Sequence, residues 1–153
     1  MIETKAFSLT KENYYKIVLL TRFKKSWWLY LIMILIAIFN LPKFGNDSFS
    51  TFFIIFSFSY PFIISIYLYF WTSLKGHKPI FSKTHLSFNN EYLHFKRAGN
   101  ESKLVANSIQ KAVSKNNYWL IYIAKSQFIY VPKNIFHNVN DLEAFSKLIK
   151  QNL

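Results

Sequence analysis

The chain has 153 residues, of which 52% are hydrophobic and 20% aromatic, while lysine and arginine outnumber acidic residues 19 to 7 for a formal charge of +12. That length holds one ordinary domain, or a membrane segment with one small domain. Cysteine is absent, which excludes a disulfide framework, a thiolate zinc site and a cysteine nucleophile.

Apolar and cationic residues are separated along the chain. Residues 1–26 carry six basic groups against Glu3 and Glu12, and residues 75–153 carry twelve against Glu91, Glu101, Asp141 and Glu143. Between Pro42 and Ser48, Lys43 balances Asp47. The excess charge therefore lies wholly in the two flanks of a pair of uncharged runs.

In chain order, Ile2 to Leu9 reads as a short strand. Thr10 is a natural N-cap for a helix that starts at Lys11 and runs on into the first uncharged run. That run, Ser26 to Pro42, has 17 residues without a charge, the short end of what spans a bilayer. Lys24 and Lys25 are placed to snorkel, and Trp27 and Trp28 fit the aromatic belt at a membrane interface. The second run, Ser48 to Leu74, would extend about 40 Å as a helix, too long for the interior of a small soluble domain. A cleaved signal peptide fits the first run poorly, because its preceding residues are long and mixed and no small-residue cleavage site follows. The intervening Pro42-Lys43-Phe44-Gly45-Asn46-Asp47-Ser48 is rich in turn formers, so the two runs predict an antiparallel hairpin.

Within the second run Ser50, Ser57, Pro61 and Ser65 share one helical face, which predicts close packing against the first helix and a kink at Pro61. Lys16, Arg22, Lys24 and Lys25, with Lys75 and Lys78 beyond the second run, predict a basic ring at the interface. Each is worth about 1 kcal/mol of attraction to anionic headgroups.

From Pro79 the pattern changes to period two. Leu86 and Phe88, then Leu93 and Phe95, face inward across a hairpin that turns at Asn89-Asn90-Glu91. After a turn at Ala98-Gly99-Asn100, weaker strands are expected at Lys103–Ala106 and Ile109–Val113. Tyr118–Ala124 is apolar on both faces and therefore central. Lys125-Ser126 turns it into a strand from Gln127 that Pro132 ends. Asn140 and Glu143 form a candidate capping box for a last helix, with Leu142, Phe145, Leu148 and Ile149 on one stripe.

This order of elements resembles the YcxB-like protein family. The likeness is carried by Phe7-Ser8-Leu9-Thr10-Lys11-Glu12-Asn13-Tyr14-Tyr15, by Tyr130-Val131-Pro132-Lys133-Asn134-Ile135-Phe136, and by the final helix from Asp141. The resemblance implies two membrane spans followed by a cytoplasmic domain of pleckstrin-homology-like (PH-like) fold, and it brings no general activity with it. The chain departs from the family at Val105-Ala106-Asn107-Ser108-Ile109, where a tryptophan usually leads into the turn.

No catalytic set assembles from the seven scattered carboxylates, and the three glycines are too isolated to cradle a phosphate. His85 and His94 are the best candidate metal pair, but they lie only diagonally opposite on the outer face of the proposed hairpin. Lys96-Arg97 with Tyr92 is a candidate stacking surface for RNA, set aside because it sits beside a membrane.

The expectation is an α+β membrane protein without catalytic activity, metal or cofactor. Residues 1–25 supply a cytoplasmic strand and juxtamembrane helix, 26–42 and 49–74 a transmembrane hairpin joined by an external loop at 43–48, and 79–153 a small antiparallel β domain capped by a helix. Positive-inside bias places both termini in the cytoplasm and the hairpin in the cytoplasmic (inner) membrane. Expected partners are the lipid bilayer, anionic lipid headgroups and a protein, with no nucleic acid. The expected role is a membrane-anchored binding or scaffold module. The alternative is a transport-associated or immunity-type protein whose hairpin acts on another membrane protein.

Overall fold

In the computed structural model, which describes residues 1–125 and 127–151, contacts divide the chain into two units. One is Thr10–Lys78; the other joins Met1–Leu9 to Pro79–Leu153.

The helical unit opens at Thr10, whose hydroxyl accepts from the Asn13 amide at 3.2 Å. Helix α1 then continues unbroken over Lys11–Asn40, 30 residues or about 45 Å. A 3-10 turn at Leu41–Lys43 follows, where the sequence predicts the end of a span at Pro42. Helix α2 covers Ser48–Trp71 and passes through Pro61. It ends three residues before the predicted Leu74.

Asp47, read from the sequence only as a loop charge, caps α2. Its carboxylate accepts from the Ser50 amide at 2.9 Å and from the Ser50 hydroxyl. These two bonds hold the Asp47 carboxyl below its usual range, since they favour the ionised acceptor. A carboxyl whose folded pKa is depressed supports the fold above its unfolded pKa, about 3.9, and loses that support as pH falls through the lower folded value. Protection of the Ser50 amide from hydrogen exchange is therefore expected to fade in acid below that range. Asp47→Asn should keep the cap and flatten the pH dependence; an unchanged acid profile in that variant would remove Asp47 as the cause.

The β unit contains two antiparallel sheets. Strands β1 (Ile2–Glu3), β2 (Thr84–Phe88), β3 (Tyr92–Arg97) and β4 (Asn100–Val105) form the first, in that order. Strands β5 (Lys111–Ser114), β6 (Tyr118–Ala124) and β7 (Gln127–Pro132) form the second. Helix α3 follows at Val139–Gln151. Alternation sets the register: Phe88 pairs with Leu93 and Leu86 with Phe95, so all four side chains face one core. Trp119, Ile121 and Val131 enter it from the second sheet, and Phe145, Leu148 and Ile149 from α3. β6 is central in its sheet, as its two apolar faces require.

Several boundaries differ from expectation. The amino-terminal strand is only two residues long, but its pairing resumes at Phe7, which bridges Thr84. Thr4 donates its amide to Leu86 O at 3.0 Å, and Lys5 donates to Ile135 O at 2.8 Å. β4 begins at Asn100, three residues before the predicted start, because a two-residue turn connects it to Arg97. α3 is capped by Asn138, whose Oδ1 accepts from the Asp141 amide at 2.8 Å. Asn140 is already inside the helix, so the predicted Asn140–Glu143 box does not form. Two asparagines sit two residues apart at this boundary, and the earlier one satisfies the third amide of the helix.

The β3–β4 turn has φ of +47° at Ala98 and +83° at Gly99, the two positive values of a type I′ hairpin. Alanine pays about 1–2 kcal/mol for a left-handed conformation, and asparagine tolerates it better. Ala98→Asn is expected to stabilise the β unit by about 0.5–1 kcal/mol in thermal or urea unfolding, and a loss of stability would contradict the turn assignment.

Candidate functional site

Three groups of residues are candidates for function. The first is the apolar surface of the hairpin. Both helices are long and apolar enough to cross a membrane, and their large side chains point outward: Phe39 is 82% exposed, Phe62 71% and Trp27 61%. Helices serving as the core of a soluble domain would hide such residues.

Between the helices the surface is different. Ala37 is fully buried, and on α2 Ser50, Ile54 and Ser57 are buried together. Pro61 and Ser65 are half-buried further along. Ser65 does more than provide clearance, for its hydroxyl lies 2.6 Å from the Tyr15 hydroxyl. Ring contacts of Tyr15 with Tyr69 and of Tyr30 with Tyr60, at 5.7 and 5.9 Å, extend the seam and show that the helices run antiparallel. Ser50 also belongs to the Asp47 cap, and the Ser57 hydroxyl is buried without a hydrogen-bond partner among the described residues.

The cationic residues beside the hairpin are not equivalent. Arg22, Lys24, Lys25, Lys75 and Lys78 are exposed. Lys16 instead forms an i,i+4 ion pair with Glu12 at 2.7 Å, so its charge is already compensated. Trp27 and Trp28 follow Lys25 after the single residue Ser26 and are both exposed. From Ser26 to Asn40 the uncharged part of α1 extends only about 22 Å, short of the roughly 30 Å of bilayer hydrocarbon. α2, at 24 residues, reaches about 36 Å.

The second group lies on the outer face of the four-stranded sheet. Glu3, Lys83, His85, His94, Lys96 and Glu101 line an open groove of about 620 Å³. His94 pairs with Ser87 and His85 with Lys96, so the two imidazoles are diagonal as the sequence register requires. Among the described residues no three histidine, cysteine or acidic side chains converge on a metal position. Lys96 and Glu101 form an ion pair at 2.9 Å, which raises the pKa of the lysine and lowers that of the glutamate.

The third group was hidden in the sequence. Arg97 does not share a surface with Lys96, because neighbouring strand residues point to opposite faces. It continues the inward series Leu93, Phe95 and so sits on the core side of the sheet. Its Nε donates to Oγ1 of buried Thr84 at 2.9 Å, and burial lowers its pKa. Neither ion pair among the described residues involves it. Arg97 lines a cavity of about 320 Å³ that also touches Pro79, Phe95, Asn100, Ser102, Ile123 and Ile129. Adjacency to Lys96 conceals this placement; the alternation through residues 93, 95 and 97 reveals it.

Residues 88–149, from the end of β2 into the last turn of α3, match the family model described as YcxB-like protein. No curated protein and no solved structure matches the chain.

Proposed function

We propose that this chain is a membrane-anchored binding or scaffold module, in which the helical hairpin fixes the YcxB-like β unit to the cytoplasmic face of the inner membrane. The observation that carries the reading is the path of the chain. It leaves the β unit after Leu9 and re-enters it at Pro79, and Phe7 is paired with Thr84 in one sheet. Both ends of the hairpin are thus tied to the same folded unit, which is the path that an out-and-back crossing of a bilayer requires.

The flanking charge supports the direction, with the basic excess on the β-unit side and a neutral loop at the far end. Arg22, Lys24, Lys25, Lys75 and Lys78 are in the sequence positions expected for contact with anionic headgroups, and Trp27 and Trp28 for the interfacial belt. The seam through Ser50, Ser57, Pro61 and Ser65 serves helix packing. The four- and three-stranded sheets followed by a helix agree in layout with a PH-like fold. We infer a recognition role for this unit and no catalytic one: its described hydroxyl–amine contact, Lys133 Nζ to Ser114 Oγ at 3.0 Å, lies exposed on the surface.

The absent cysteines make the topology test simple. Single cysteines at Ser48 and at Asn116, both exposed, are treated in intact cells with a membrane-impermeant thiol reagent. Labelling of the first and protection of the second is expected; the reverse pattern overturns the orientation, and release of the protein by carbonate overturns the anchor. Exchange of both helices for an unrelated hairpin should leave the molecules captured by in-cell cross-linking unchanged. Loss of that capture with intact insertion would favour a protein that acts through its spans.

A further inference from the structure

The core face of the first sheet ends in polar groups where apolar ones would pack. Leu93 and Phe95 are buried, yet the next inward position is Arg97. On the neighbouring strand Leu104 packs against the core, while Ser102 and Asn100, both exposed at the rim, pair with Phe95 and Arg97. Three polar side chains from two paired strands therefore gather at one mouth of the space between the sheets. Ile123 and Ile129 face them across the same cavity.

Arg97 is held rather than free to swing into solvent. Thr84, which is 1% exposed, accepts from Nε and itself donates to Ser82 O at 3.2 Å. That anchor uses one of the five guanidinium donors and leaves the terminal fork without a partner among the described residues. A guanidinium fork matches the two oxygens of a carboxylate or phosphate. The cavity volume of about 320 Å³ gives room for roughly ten water-sized groups. Its walls suit an alkyl chain, and its cation requires a negative end.

We propose that this cavity binds the oxyanion end of an amphiphile, a carboxylate or phosphate ester carried on an alkyl chain, with the Arg97 fork, Asn100 and Ser102 around the oxygens and Ile123 and Ile129 against the first methylenes. This deepens the reading of the β unit as a binding module and rests on it. The same chemistry can reach the site from a bilayer lipid or from a free fatty acid or alkyl phosphate.

The test uses the full chain in phospholipid nanodiscs, whose co-elution with the protein reports the anchor separately from the site. The Arg97 Nε–H resonance and the methyl resonances of Ile123 and Ile129 are followed by NMR in phosphatidylcholine discs. Dodecanoate or dodecyl phosphate is then added, with dodecanol as the uncharged control. A second set of discs contains phosphatidylglycerol with no added amphiphile. Shifts on adding either anion support the site and identify a free ligand; shifts confined to phosphatidylglycerol discs support it and identify a bilayer lipid. Arg97→Lys, which keeps the charge and loses the fork, should weaken the methyl response to the effective anion about tenfold. Resonances unmoved by every anion, or moved equally by dodecanol, overturn the proposal while leaving the anchor intact.

Discussion

Deletion of Met1–Leu9 is expected to unfold the β unit. Phe7 is buried in its core, and burial of such a side chain is worth about 1.5–3 kcal/mol. Four backbone hydrogen bonds are lost with it, from Thr4 to Leu86, from Lys5 to Ile135, and in both directions between Phe7 and Thr84. At about 1 kcal/mol each, the total reaches the order of the 5 kcal/mol at which small domains become marginal. Residues 79–153 alone should therefore show no cooperative thermal transition by circular dichroism. Joining residue 9 to residue 79 through a Gly/Ser linker of about ten residues, with an average span of about 17 Å, should restore it. A cooperative transition in the unsupplemented fragment would make the amino-terminal strand an ornament.

Truncation of Phe145 should have the next largest effect. This side chain is fully buried on α3, with ring centroids 5.2 Å from Phe88, 5.1 Å from Phe136 and 6.4 Å from Trp119. It thus ties α3 to both sheets. Phe145→Ala removes an aromatic ring and leaves a cavity, at a cost of about 3–5 kcal/mol. For a domain of this size the melting temperature should fall by about 15–30 °C. Phe145→Leu, which keeps much of the volume, should lose far less. Comparable melting of the two variants would mean that the site collapses around the gap.

The strongest local signals in the sequence correspond to the elements that are least ambiguous physically. Charge-free runs bounded by lysines can form few structures other than long apolar helices, and the alternation through Leu86, Phe88, Leu93 and Phe95 specifies a register by itself. Less legible features depend on distant or competing partners. The two residues of β1 carry no period, and their partners at Phe88 and Ser87 lie more than half the chain away. Asn138 and Asn140 are chemically identical candidates for one cap. Asp47 reads as a stray loop charge until the helix behind it places the Ser50 amide within reach. Arg97 is the instructive case, because its face was implicit in the period-two pattern and was obscured by the lysine beside it.

The split path of the β unit also fixes an order of assembly. The segment that supplies Ile2 and Phe7 leaves the ribosome first, but β2, which it pairs with, follows only after the whole hairpin. At 5–20 residues per second the delay from Leu9 to Phe88 is roughly 4–16 s. During that interval both helices are complete while the β unit is unable to close. On the anchoring proposed above, insertion of the hairpin then comes before folding of the β unit, which keeps the amino-terminal segment on the side where its late partners emerge.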